Sequence, residues 1–133
     1  MRIPRKEYMK IWNKENRVKI TNQHAIWRKK NRAASFAIEI KSGARKQGIK
    51  YDLTKEWFKE RLDSGICELS GMPFDMEGKR SRNSPSVDRI NPMGSYTKDN
   101  CRLVLWSVNR ALSNYGQEYL VGVFKKIIER EII

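Results

Sequence analysis

Histidine and cysteine are nearly absent from this 133-residue chain, which has one of the former, His24, and two of the latter, Cys67 and Cys101. A structural zinc ion of the common kind takes four Cys or His ligands, so the chain alone cannot build one. The two cysteines are expected as buried free thiols in a reducing compartment. Long apolar runs are missing as well. No stretch approaches the roughly 20 apolar residues that cross a bilayer, and the first seven residues lack the apolar core of a secretion signal. The expectation is a soluble, cytoplasmic protein with one small core and room for an appendage.

Acidic residues are scarce in one part only. Residues 1–50 carry 15 Lys or Arg against 3 acids, a net of +12, whereas residues 51–133 carry 13 against 12, a net of +1. The first third is therefore a basic arm on a near-neutral body. Nucleic acid is the partner this asymmetry favours, because phosphate contacts release condensed counterions. A solvated face or a membrane-surface helix would be equally basic, but the arm lacks the continuous apolar stripe that a membrane helix buries. Lys14, Arg17, Arg28, Lys29, Lys30, Arg32, Arg45 and Lys46 are the candidate phosphate contacts in or beside the arm.

The arm contains an echo: Trp12-Asn-Lys-Glu-Asn-Arg17 returns fifteen positions later as Trp27-Arg-Lys-Lys-Asn-Arg32. Fifteen residues is close to four helical turns, so one continuous helix would project both tryptophans from nearly one face. The stretch is read as one or two basic helices whose Trp and Tyr8 rings pack on the body or lie along a nucleic-acid backbone. Helical patterning continues from Ala33 to Ile40, followed by an expected basic turn around Gly43 and Gly48. A short helix follows, with Thr54 as N-cap, Trp57, Phe58 and Leu62 facing inward, and Gly65 at its end.

Residues 71–82 are rich in Gly, Pro and charge and form the expected loop. From Ser84 the pattern becomes strand (84–90), turn (91–95), strand (100–105) and helix (106–114), stopped near Gly116. Leu120, Val123, Phe124, Ile127 and Ile128 then recur at helical spacing, which predicts a C-terminal helix buried against the body. Asp88 on the first strand, Asn100 entering the second and Asn109 on the helix offer oxygen ligands from three consecutive elements. One carboxylate and one amide oxygen would suit Mg²⁺, which keeps several waters or phosphate oxygens. Taken alone, Asp and Asn at such positions serve turns and caps just as often.

Four ordered blocks carry a resemblance: Cys67-Glu-Leu-Ser-Gly-Met-Pro-Phe74, Ser84-Pro-Ser-Val-Asp-Arg-Ile90, Gly94-Ser-Tyr-Thr-Lys-Asp-Asn100 and Val108-Asn109-Arg110-Ala111. Together they resemble a phage-type branch of the HNH, or ββα-metal, endonucleases, over residues 45–120. The resemblance implies an α+β fold: a small hairpin-plus-helix core with additional helices and a basic N-terminal helical arm. It implies an arm over residues 1–43, and the HNH-like domain with its C-terminal helix over residues 44–133. Asp88 and Asn109 match the metal ligands, and Asn100 matches the asparagine that holds loop and strand together. Arg110 joins the candidate DNA contacts. Cys67 stands where many members begin a zinc knuckle, but Ser70 and Gly71 replace its partner; no structural zinc is expected, and packing of Leu69, Met72, Pro73 and Phe74 takes its place.

One departure bears on chemistry. Members usually follow the aspartate with a histidine that takes a proton from the attacking water, and here the residue is Arg89. Arginine stays protonated and cannot act as that base, although it can grip a phosphate. Solvent, the substrate phosphate, Tyr96 or the distant His24 would have to serve instead. The expected function is a phage-encoded DNA endonuclease using one Mg²⁺ or Mn²⁺ per site on duplex or branched DNA in the bacterial cytoplasm. Asp88, Arg89, Asn100 and Asn109 would be its catalytic group. The alternative is an inactive HNH-fold DNA-binding or regulatory protein.

Overall fold

Two asparagines interrupt the helical N-terminal stretch in the same way. Helix α1 (Arg5–Glu15) ends at Asn16, and α2 (Arg17–Lys30) ends at Asn31, before α3 (Arg32–Gln47). At each break the side-chain amide and the backbone N–H both donate to the carbonyl of the tryptophan four residues back. Asn16 reaches Trp12 O at 2.8 and 2.9 Å; Asn31 reaches Trp27 O at 3.0 and 2.8 Å. Asparagine competes with the helix for local backbone groups, so the repeated Trp-x-x-x-Asn spacing places the same break twice. Neither α1 nor α2 buries a residue, and Tyr8, Trp12 and Trp27 are all exposed.

The computed structural model of the chain describes residues 2–77 and 80–131, so the centre of the loop expected over 71–82, residues 78 and 79, lies outside the described residues. The chain forms two compact units, Met1–Arg32 and Ala33–Ile133. The expected division between residues 43 and 44 falls inside α3. That helix also runs through the turn expected at Gly43, because Ala44 is buried and Phe36, Ala37 and Ile40 pack on the core, which outweighs the roughly 1 kcal/mol cost of a helical glycine. It stops at Gly48, whose φ of 67° and the bonds Gly48 N to Arg45 O and Ile49 N to Ala44 O form a Schellman cap.

The second unit is α+β. After α3 comes α4 (Lys55–Ser64), capped as expected by Thr54, whose Oγ1 accepts from Trp57 N at 3.2 Å, and closed by Gly65 in the left-handed region. Strands β1 (Pro85–Arg89) and β2 (Cys101–Leu105) form an antiparallel hairpin in which Asp88 faces Arg102 and Arg89 faces Cys101. Helix α5 (Trp106–Leu112) follows β2 directly, and α6 (Gln117–Glu131) ends the described chain. Phe58, Leu103 and Val104 sit at the centre with no exposed surface, ringed by Leu53, Trp57, Leu62, Cys67, Phe74 and Val87. Each such apolar side chain contributes on the order of 1.5–3 kcal/mol.

Two expectations need correction. Helix α5 stops at Leu112 rather than Asn114, because Ser113 takes a positive φ of 44°. Helix α6 buries no residue: Leu120 and Val123 are half-covered, while Phe124, Ile127 and Ile128 are exposed. Its apolar stripe is longer than the surface against which its N-terminal end rests.

Candidate functional site

Alternation along β1 sends Ser86 and Asp88 to one face of the hairpin and Val87 and Arg89 to the other. Asp88 is 5% exposed, and a buried carboxylate needs a partner. Its cross-strand neighbour supplies one: Arg102 Nε donates to Asp88 Oδ2 at 2.9 Å, and Arg102 Nη1 donates to Gln117 Oε1 on α6 at 2.7 Å. Helix α5 lies over this face. Asn109 Nδ2 donates to Ser86 Oγ at 2.8 Å and to the Val87 carbonyl at 2.9 Å. A carbonyl only accepts, so the amide nitrogen must face β1 and Oδ1 must point away from it.

The Asp88 carboxylate on β1 and the Asn109 amide oxygen on α5, which is not used on β1, are hard donors of the kind that fit a hard divalent ion whose other positions go to water or phosphate. Among the described residues no group of three His, Cys, Asp or Glu side chains gathers to hold a metal.

Arg89, the last residue of β1, and Asn100 both bond to the turn. Arg89 Nη1 donates to the Gly94 carbonyl at 2.8 Å, and the guanidinium carbon lies 5.0 Å from the centre of the Tyr96 ring. Asn100 closes the turn with three bonds: Oδ1 accepts from Asn91 N at 2.9 Å, and Nδ2 donates to Asn91 O at 3.1 Å and Ser95 O at 2.9 Å. The turn is tied in turn to the segment before α4, where Tyr96 N donates to Lys50 O and Asp52 N donates to Tyr96 O, both at 2.9 Å. Burial, with a smaller contribution from Cys101, raises the Tyr51 phenol above its ordinary value, and the Tyr51 ring lies 6.4 Å from that of Tyr96. His24 is exposed on α2, in the other unit.

Where a zinc knuckle would begin, the Cys67 sulfur is bonded within the turn and to β2. Its sulfur accepts from Ser70 N at 3.3 Å and from Leu105 N at 3.4 Å. Burial pushes this thiol up, but the donors from Ser70, Leu105 and Leu69 outweigh it and hold it below its ordinary value. Cys101 goes the other way: burial pushes its thiol up to about 11. The expected packing in place of zinc is carried by Leu69 and Phe74 only. Met72 is 48% exposed and Pro73 is exposed, because the turn itself is closed by backbone and sulfur bonds.

Lys14, Arg17, Arg28, Lys29 and Lys30 are all exposed on α1 and α2, and Arg32 is half-buried where α3 begins. In the second unit, Arg45 and Lys46 are exposed in the last turn of α3, and exposed Arg110 lies with its guanidinium 5.3 Å over the Trp106 ring. Sequence reasoning missed Arg102, Gln117 and Ser86. The cross-strand position of Arg102 follows only once the register is known, and an eleven-residue connection between strands leaves that open.

No family model matches the sequence, and no curated protein matches it. The fold is that of an HNH-type protein. A solved structure described as the rare-cutting HNH restriction endonuclease PacI, noted for its perturbation of DNA, is similar with a TM-score of 0.55 and 21% identity, covering 74% of this chain and 78% of that one. At that identity the likeness is one of fold.

Proposed function

We propose that the chain is a metal-dependent HNH-type endonuclease, phage-encoded, that hydrolyses a phosphodiester bond in duplex or branched DNA in the host cytoplasm. The observation that carries this reading is the pairing of a buried carboxylate, Asp88, with a helix amide, Asn109, turned by its own hydrogen bonds to leave an oxygen free. Those two side chains would hold one Mg²⁺ or Mn²⁺, and such an ion supplies charge stabilisation for the phosphate and its leaving oxygen. Asn100 sets the turn. Arg89, on the other face of the hairpin, has N–H groups beyond the one on Gly94 with which to grip a DNA phosphate. Solvent or a substrate phosphate oxygen takes the proton of the attacking water, since Arg89 cannot. The basic arm of residues 1–43, with Arg45, Lys46 and Arg110, supplies phosphate contacts that position DNA without reading its sequence.

A supercoiled plasmid incubated with Mg²⁺, Mn²⁺ or EDTA tests the proposal. Nicking is expected with the metals, none with EDTA, and a loss of about a hundredfold or more in Asp88→Asn and Asn109→Ala, each checked as folded by circular dichroism. Binding without cleavage under every divalent ion would defeat it. That outcome is the second reading, a DNA-binding protein on an HNH scaffold, and one observation favours it: Arg89, to which the resemblance assigns the place of the base, is braced between Gly94 and Tyr96.

A further inference from the structure

The charge of the Asp88 face is already balanced. Asp88 and Arg102 form an ion pair with side chains 6% and 13% exposed, and Asn109 is neutral. Among the described residues no group of three His, Cys, Asp or Glu side chains gathers there. A divalent cation approaching this face meets one carboxylate whose charge is cancelled at 2.9 Å by a guanidinium. Arg102 cannot readily swing aside, because its Nη1 is held by Gln117 from α6. Partial burial also weakens the screening by water that would mute this opposition on a surface.

We infer that the protein alone binds its divalent ion weakly and that the phosphates of DNA supply the missing negative charge, so metal and DNA bind synergistically. Arg102 is the positioning residue that sets this dependence: it orients the Asp88 carboxylate and subtracts its charge. The inference rests on the reading of Asp88 and Asn109 as the metal ligands. Coupling of this kind is reciprocal, so the ion must raise DNA affinity by the factor by which DNA raises metal affinity. A protein built so leaves its site largely unloaded until a phosphate backbone is present.

Electron paramagnetic resonance of free Mn²⁺ measures metal affinity for the full chain alone, with a short duplex, and for the duplex alone as control. The wild type should bind Mn²⁺ about tenfold or more tightly with duplex than without, beyond the contribution of DNA itself. Arg102→Met should bind Mn²⁺ more tightly without DNA, reducing the coupling to about twofold or less. Arg102→Lys, which keeps the charge, should retain most of it, and Asp88→Asn should abolish the protein's share in both states. Equal wild-type affinity with and without duplex overturns the inference whether or not any variant folds. So does undiminished coupling in a folded Arg102→Met. Coupling without any plasmid nicking would defeat the nuclease reading and leave this one standing; nicking without coupling would do the reverse.

Discussion

Gly94 has no room for a side chain. A Cβ there would lie 2.6 Å from Asn100 Nδ2, 3.2 Å from Asn100 Cγ and 3.3 Å from the Asn91 carbonyl. These are the atoms of the three-bond closure of the turn, so Gly94→Ala must either open the turn or turn the Asn100 amide out of it. Both routes break hydrogen bonds, one of them half-buried, at a cost of about 1 kcal/mol. The measurable signature is non-additivity in urea unfolding: Asn100→Ala should cost clearly less in the Gly94→Ala background than alone. Additive costs would mean that the glycine does not serve the amide. The importance of Asn100 was legible in the sequence through resemblance to a family, and Gly94 was legible as a turn residue. That the one must lack a Cβ because of the other was not, since no spacing rule brings an amide back across its own loop.

At the scale of elements, β2 has an outer edge that β1 does not cover, and the knuckle beginning at Cys67 covers it. Glu68 N donates to Leu103 O at 2.9 Å, the Glu68 carboxylate accepts from Leu103 N, and Cys67 Sγ accepts from Leu105 N. Arg61 Nε reaches the same carboxylate at 3.2 Å and stacks over Trp57 at 4.0 Å, tying α4 to this edge. Glu68→Ala leaves a buried strand amide without its partner, which should cost about 1–3 kcal/mol by denaturant unfolding. Glu68→Gln keeps an acceptor and should recover a substantial part. Equal losses in the two variants would show that the ion pair with Arg61 matters rather than the strand amide. The hairpin, α4 and α5 were readable from local signals such as the Thr54 cap, the Gly65 stop and strand alternation. Helix α6 misled because period alone reports an apolar stripe, not the surface that would cover it; Phe124, Ile127 and Ile128 stay exposed. Helix α3 misled in the opposite sense, since burial of Ala44 overrode the glycine before it.

For the whole molecule, the sequence divides its charge along the chain, with a net of +12 in residues 1–50 and +1 in the remainder. The structure keeps the most basic part on helices that bury nothing, so those cations are free to meet a polyanion. Arg28, Lys29 and Lys30 form the last turn of α2, just before the second asparagine break, and place three cations within one helical turn. If they contact phosphates, replacing all three with alanine removes up to three counterion-releasing contacts. The slope of log affinity against log salt for duplex DNA, measured by fluorescence anisotropy, should then flatten by up to about 2.7, or about 0.9 for each contact. Such contacts carry no base information, so affinity should fall by a similar factor on unrelated duplexes. An unchanged slope in the triple variant would remove the last turn of α2 from the DNA interface and leave the phosphate contacts to Lys14, Arg17, Arg32, Arg45, Lys46 and Arg110.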